Sequence, residues 1–583
     1  MSNQTNTKTF PVNEVTPFSN IREMLDIAER EAGDHIAYKF RVHDAIREVT
    51  YKEFIRDVNA LGSALTELGV MGEHLCNIGE NSYQWIVVYL TALMGTGVYV
   101  PIDKELPQAD ILHIANNSES TVFCYTTRFS DMVHEQADKE LSGFKYFIHV
   151  ETPEEEVAEE SDPRFLSFRT LIEHGKELLD NGYTGYLDQE VDHYGLKMIV
   201  YTSGTTGIAK GVMLCEHNLC SGIYYGLQVS NILTTSLSVL PYHHTYEAIP
   251  GLLVALHKHV TVCINENLKT VMKNLAAYKP DFIYLVPAFV EEFHRRIWLN
   301  AQKSGKEKGL KTLIKISNGL RKVGIDARRK LFATIHEAFG GNLQEIVCGG
   351  APIRPEIGAF FDSIGIMLIN GYGITECSPL VSVNRIQFND WSTVGMPLPC
   401  CQIRIDDMTP EGIGEICVKG DVVMLGYYKN PEATAEVLDE EGWFRTGDYG
   451  LINEHGQLVI TGRKKNIIVL SNGKNIYPEE IENYIMNIPY IKEVVVYAPK
   501  NEHGEETKLV AEVFLNDDKV QELGITDPLA SLKADVAKAC KELPIYKKVA
   551  QVVIRATEFE KNSSKKIKRQ CIDHAKLDDA GSN

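Results

Sequence analysis

The sequence predicts an α/β fold with largely parallel sheets, and three observations carry that prediction. Apolar, β-rich runs recur: "HLCNIGE", "TVFCYTT", "KYFIHV", "KMIVYTS", "SLSVLPY", "VTVCIN", "DFIYLVP", "QEIVCGG" and "IGIMLING". Several are continuous rather than alternating, as strands covered on both faces are. Helical stretches lie between them, which is the pattern of a layered α/β architecture. No internal repeat is visible.

The stretch "WIVVYLTALMGTGVYVPI" at residues 85–102 is nearly long enough to span a bilayer. Thr91, Gly95, Thr96 and Gly97 interrupt it and Pro101 ends it, so it reads as a buried helix, a glycine turn and a short strand. Residues 151–162, "ETPEEEVAEESD", hold seven acids and no base and read as a solvated loop. After about residue 395, short strands with Gly-rich turns ("GEICVKGDVVMLGYY") predict a smaller β-rich section. Further on, Pro478 suits the first turn of a helix whose positive end Glu479 and Glu480 complement. Ile481, Tyr484, Ile485 and Ile488 follow at helical spacing. With "EVVVYAP", "KLVAEVFLN", a helix near 529–542 and "AQVVIRA", this makes a separate α+β domain.

A chain of 583 residues is too long for one ordinary core. Its formal charge of −20 makes it a poor candidate for a general nucleic-acid binder, which needs a basic footprint. The twelve cysteines include no C-x-x-C pair, and adjacent Cys400 and Cys401 make a poor disulfide framework. They read as reduced, mostly buried thiols. The N-terminus "MSNQTNTKTFPV" lacks the apolar core of a signal peptide, so a cytoplasmic location is expected.

The segment "TSGTTGIAKG", Thr202 to Gly211, follows a buried strand. Its glycines let backbone N–H groups converge on an anion. Ser203, Thr205 and Thr206 add hydroxyls and Lys210 adds charge, a set suited to polyphosphate. The spacing G-x-x-G-x-x-K-G is not the Walker loop. By composition alone the turn could equally be structural.

The exact string decides otherwise. "YTSGTTGIAKGVML" resembles the signature loop of the adenylate-forming superfamily, which includes acyl-CoA synthetases, nonribosomal adenylation domains and firefly luciferase. Further matches follow in the family's order: "LPYHHTYE" (240–247), "CGGAP" (348–352), "NGYGITE" (370–376), "GWFRTGD" (442–448), "ITGRKKN" (460–466), "SNGKNIYPEEIE" (471–482) and "KKIKR" (565–569). They cover the chain from about residue 200 onward, and the earlier part fits more loosely.

The resemblance implies a large N-terminal AMP-binding domain, 1–464, of two α/β sheet subdomains and a small distorted β-barrel. It also implies a smaller mobile α+β domain, 465–583, hinged at Lys465. Family members activate a carboxylate with ATP: the acid attacks the α-phosphorus, pyrophosphate leaves, and a thiol then displaces AMP from the acyl-adenylate. The implied phosphate contacts are Thr202, Ser203, Gly204, Thr205, Thr206, Gly207 and Lys210. Tyr372 would stack on adenine, with the carbonyl of Asn370 near its amino group. Gly350 and Ala351 would line the adenine pocket and acyl tunnel, and Gly373 belongs to the same nucleotide motif. Thr375 would touch phosphate. Glu376, with Thr202, would hold Mg²⁺, as a hard cation bridging phosphates takes one or two carboxylates; a bare capping role is the alternative for Glu376. Asp448 would bind ribose through two hydroxyls, and Arg463 ribose or phosphate. His244 would gate acyl entry. A metal site of His243, His244 and Glu247 is weak, because no further ligands cluster nearby in sequence. Gly473 would line the pantetheine tunnel for CoA. The tail departs from the family, which has glycine before its catalytic lysine where this chain has Lys565; register assigns that role to Lys566, with Lys565 as the alternative.

"LPYHHTYE" and "KKIKR" look most like the long-chain fatty acyl-CoA synthetase branch. Medium-chain and aryl acids stay open, as does an acyl-AMP ligase loading a separate carrier protein, since no carrier segment follows "KKIKR" in this sequence. A nucleotide-binding sensor is the non-enzyme alternative, opposed by the presence of both Glu376 and Lys566. Peripheral membrane contact stays open for a fatty-acid enzyme, although no basic amphipathic helix is evident to argue for it. Oligomeric state is not readable.

Overall fold

The computed structural model describes residues 12–43, 45–155, 160–202, 209–469, 475–499, 508–561, 567–569 and 572. It divides into two compact units. The first comprises Met1–Ile403, Val418–Phe444 and Glu454–Leu458, and the second Arg404–Cys417, Arg445–Asn453 and Val459–Asn583.

Two large sheets build the first unit. One has eight strands in the order Gly426–Tyr427, Lys210–Cys215, Leu196–Thr202, Val98–Ile102, His74–Ile78, Val122–Tyr125, Tyr146–His149 and Phe165–Ser167. The strands from Leu196–Thr202 to Phe165–Ser167 pair in parallel. Lys210–Cys215 folds back antiparallel on Leu196–Thr202, pairing Thr202 with Lys210. The other sheet has nine strands: Met396–Pro397, Leu380–Val383, Met367–Gly373, Glu345–Cys348, Phe282–Leu285, Thr235–Ser238, Thr261–Ile264, Ile36–Val42 and Ala45–Thr50. Its middle is parallel and both edges are antiparallel. All nine apolar runs of the sequence are strands of these two sheets.

The run at 85–102 is the buried helix Tyr83–Met94, capped by the Ser82 side chain, followed by Val98–Ile102. Among the described residues no helix is long and apolar enough to cross a membrane. The acidic stretch needs a correction at its start. Glu151 is buried and accepts from the Ser167 hydroxyl and from the N–H groups of Phe168 and Arg169. It therefore complements the positive end of the helix Phe168–Asp180 rather than facing water.

Helices Pro287–Lys303, Glu307–Lys322, Arg328–Leu331, Ala333–Ala338 and Pro355–Ile364 cover one part of the nine-stranded sheet, enclosing a core that includes Leu285, Val290, Leu310, Ile346 and Phe361. The helix Glu307–Lys322 overturns the expectation that the chain has no basic amphipathic helix. Leu310 and Ser317 are buried on one side, and Lys308, Lys311, Lys315 and Lys322 are exposed on another.

The second unit contains most of the strands Cys401–Asp406, Gly414–Gly420, Phe444–Ile452 and Leu458–Arg463, which form a four-stranded sheet in that order. It also holds the three-stranded sheet Ile491–Tyr497, Val510–Leu515 and Gln551–Ile554. Helices Pro478–Ile485 and Pro528–Ala539 pack on it through Ile481, Ile485, Leu532 and Val536. Pro478 opens its helix as the sequence suggests, but the helix ends at Ile485, so Ile488 reaches the same core from beyond it. The eleven cysteines among the described residues are free thiols, all buried except Cys400.

Candidate active site

Parallel α/β sheets offer ligands the crevice beyond the carboxyl ends of their strands. Thr202 ends its strand there, and Gly349, Gly350 and Ala351 follow the end of Glu345–Cys348. Gly350 has φ +84°, a conformation that other residues adopt only under strain. Ser203, Gly204, Thr205, Thr206 and Gly207 lie outside the described residues, as do Gly473, Lys565 and Lys566.

The strand Met367–Gly373 delivers the "NGYGITE" group. Asn370 is buried; its amide donates to the Thr393 carbonyl at 3.0 Å, and its main-chain carbonyl accepts the Asn384 N–H at 2.9 Å. The side-chain Oδ1 is buried without a hydrogen-bond partner, and a buried orphan acceptor asks for a donor. Tyr372 is buried beside it on the same strand. A Cβ at Gly373 would stand 2.3 Å from the Pro379 carbonyl oxygen, so only glycine allows the chain to close this turn.

Thr375 and Glu376 sit on the single helical turn Thr375–Cys377. Ile374 holds the capping position, and the Glu376 side chain is engaged elsewhere, so it is not a capping acid. Its Oε1 accepts the Tyr427 hydroxyl at 2.9 Å. The Lys210 ammonium lies over the same Tyr427 ring, 5.0 Å from its centroid. Burial, and then the adjacent Glu376 carboxylate, raise the Tyr427 phenol above its ordinary value, so it stays a donor. Sequence reasoning missed Tyr427. No local signal marks it, because it arrives through an edge strand pairing Gly426 with Met213 and Tyr427 with Val212. Main-chain bonds from Met424 N–H to the Glu376 carbonyl, 2.9 Å, and from Tyr428 N–H to the Gly211 carbonyl, 2.7 Å, lock three distant segments together.

His244 lies in the "LPYHHTYE" loop, which Asn81 braces from afar. Asn81 donates to the Leu240 carbonyl at 2.7 Å and accepts the Tyr242 N–H at 3.2 Å. The His243 ring packs 4.2 Å from that of His244, and its Nε2 stands 3.5 Å from Asp103. Burial, then the neighbouring His244, hold His243 well below the ordinary histidine value. Glu247 is fully buried, takes the Ser238 hydroxyl at 2.5 Å, and has its other oxygen unpartnered. Burial pushes its pKa up to about 8. It starts a π-helical segment, Glu247–Val254, that carries Pro250 inside; the missing N–H of proline suits a locally widened helix. Among the described residues no group of three or more His, Cys, Asp or Glu could hold a metal.

In the second unit, Asp448 is 2% exposed and its Oδ1 meets Arg463 Nε at 2.9 Å. The two expected ribose contacts are therefore neighbours. Lys465 follows on the single turn Lys464–Asn466, where Lys464 pairs with buried Glu415 at 2.6 Å. Arg445 reaches the same Glu415 at 3.0 Å. This network, too, lacks any sequence signal.

A family model described as AMP-binding enzyme matches residues 25–428, more than half of the chain. The chain belongs to the AMP-binding enzyme family. A second model, the AMP-binding enzyme C-terminal domain, matches residues 465–576 of this AMP-binding enzyme. A long-chain-fatty-acid–CoA ligase, FadD15 of Mycobacterium bovis, is 30% identical over 498 residues, covering 82% of this chain and 80% of its own. A chloroplastic long-chain-fatty-acid–[acyl-carrier-protein] ligase of Arabidopsis thaliana is 29% identical over 80% of this chain and 72% of its own. Among solved structures, the adenylation and carrier didomain of a carboxylic acid reductase from Segniliparus rugosus, in complex with AMP, superposes with a TM-score of 0.76 at 20% identity. That match covers 95% of this chain and 80% of the other, and it shows the shared fold. The AMP-binding enzyme is an adenylate-forming acid ligase.

Proposed function

We propose that this ligase activates a long-chain fatty acid with ATP, releasing pyrophosphate, and passes the acyl group from the adenylate to CoA. The observation that carries the reading is the Lys210–Tyr427–Glu376 constellation beside Thr202, which joins a cation and a carboxylate through one phenol. Lys210 would attract the phosphates, and Thr202 would donate to them. Tyr427 takes one oxygen of Glu376; among the described residues nothing donates to the other. That free carboxylate oxygen, with the Thr202 hydroxyl, would hold Mg²⁺, a hard cation that takes oxygen ligands. The ion would neutralise phosphate charge. The unpartnered Asn370 Oδ1 suits the adenine amino group, and Asp448 with Arg463 suits the ribose. The roles of Ser203, Thr205, Thr206, Gly473 and Lys566, the division at Lys465, and the gating by His244 belong to the same proposal.

The names of the fatty-acid relatives support a long-chain substrate. The Arabidopsis relative supports a second reading, in which the acceptor is a carrier protein. Both are tested by AMP release from ATP over short, medium, long-chain and aromatic acids, with and without CoA. CoA-dependent turnover confined to long-chain acids is expected. Pyrophosphate release that CoA does not accelerate would move the acceptor to a carrier, and turnover with aromatic acids alone would overturn the chain-length reading.

A further inference from the structure

Between His294 and Phe332 stand twelve lysines and arginines and only two acids, in a chain of net charge −20. This segment forms the end of helix Pro287–Lys303, all of Glu307–Lys322 and the turn to Arg328–Leu331. Part of the charge is structural: Arg321 and Arg328 are tied to Asp362, and Arg295 and Arg296 to Glu292. Lys303, Lys306, Lys308, Lys315, Lys322 and Lys330 are exposed and form no ion pair among the described residues. Lys308, Lys311, Lys315 and Lys322 recur at steps of three, four and seven, so they share one face of their helix, away from Leu310 and Ser317.

Exposed aliphatic side chains accompany them, together with the small polar Thr312 and Asn318. Ile316 is 48% exposed, Val323 71% and Ile325 53%. Ile316 and Val323 are seven apart and form a stripe next to the lysines.

We propose that this surface docks the enzyme on a bilayer containing anionic lipids. Charge complementarity selects a polyanion, and the aliphatic stripe selects a lipid one. Ile316, Val323 and Ile325 would enter the acyl boundary while the flexible lysines keep their ammonium groups among the headgroups. A nucleic acid would call for exposed aromatic rings to stack on bases; the one tryptophan of the segment, Trp298, is instead partly buried against the core. The placement also serves the site. Helix Pro287–Lys303 begins one residue after Val286, which lies 3.5 Å from the Cβ position of Gly350, and ends at the basic surface. Its seventeen residues span about 25 Å. The surface stands on its own observations and does not depend on which acid is activated.

The test is co-sedimentation of the full chain, without substrates, with phosphatidylcholine vesicles and with phosphatidylcholine–phosphatidylglycerol vesicles. Binding is expected only to the anionic vesicles, lost at about 0.5 M salt, where exposed charges are screened within a few Å. The triple variant K308E/K315E/K322E should weaken binding at least about tenfold. The variant I316S/V323S/I325S should weaken it several-fold and leave the salt dependence. Unchanged melting and AMP release would show that both variants fold. Equal binding to neutral vesicles, an unchanged charge-reversal variant, or binding to duplex DNA with none to anionic vesicles would overturn the proposal. An aliphatic variant that binds like the parent would overturn the lipid assignment.

Discussion

Tyr427 donates its hydroxyl to Glu376, the carboxylate proposed to hold Mg²⁺. Replacing it by Phe removes the 2.9 Å bond to Glu376 and keeps the ring beneath Lys210. A hydrogen bond to a charged group contributes roughly 1.5–3 kcal/mol, so Y427F should slow pyrophosphate release about tenfold or more. It should also raise the Mg²⁺ concentration needed for half-maximal rate. An unchanged Mg²⁺ titration would remove Tyr427 from this role. Glu247 gives a second prediction. Its pKa is raised by burial from 4.5 to about 8, so the folded state binds its proton more tightly than the unfolded chain. Its contribution is therefore complete below about 4.5 and is lost as pH rises through about 8. The isosteric E247Q has no such dependence. The melting-temperature difference, variant minus parent, should grow between about pH 5 and about pH 8 and then level off. Comparing variant with parent removes the shared contribution of Glu345, which burial raises to about 7. A difference that stays constant would mean Glu247 is ionised in the fold.

Elements differ in how far the sequence discloses them. The parallel strands are legible because both faces are covered, leaving unbroken apolar runs such as "KMIVYTS" and "DFIYLVP". The edge strand Gly426–Tyr427 is not, because its identity depends on a partner at Val212–Met213, distant in sequence. The same distance hides the Tyr427–Glu376 bond and the Asn81 brace. The π-helical segment at Glu247 is hidden for another reason: "EAIPGLLV" has the apolar content of an ordinary buried helix, and only the position of Pro250 hints at widening. The helix Glu307–Lys322 went unread although its lysines fall at helical spacing, because the overall acidity of the chain conceals a local basic face. The turn at Gly373 yields an element-scale prediction. A methyl there would collide with the Pro379 carbonyl, a main-chain atom held in the ladder. G373A should lower stability by about 1–3 kcal/mol, as overpacking against fixed atoms does. ATP affinity should fall with it, because Tyr372 and Glu376 flank the turn. Wild-type melting and ATP binding would show that the strand end can shift freely.

At the scale of the whole molecule, the proposed activity asks one chain to serve two half-reactions. The resemblance assigns the adenylation lysine to Lys566 and a thioester-forming loop to Gly473, both beyond Lys465. If each acts in a different step, their common domain must change its orientation between steps, and the backbone at Lys465 has to absorb the rotation. Lys465 lies on the turn Lys464–Asn466, anchored on one side by the Lys464–Glu415 pair. Proline at 465 would fix one backbone angle. K465P should therefore retain pyrophosphate release from ATP and acid, and lose most AMP release from preformed acyl-adenylate with CoA. K566A should do the reverse, since a lysine that compensates charge during attack on the α-phosphorus has nothing to do once the adenylate exists. Two single-turnover assays on each variant give four rates. A crossed pattern separates the residues by step. If K566A slowed both half-reactions alike, the adenylation lysine would have to be sought at Lys565, the other register. If K465P slowed both alike, the two steps would share one domain placement, and Gly473 would lose its separate role.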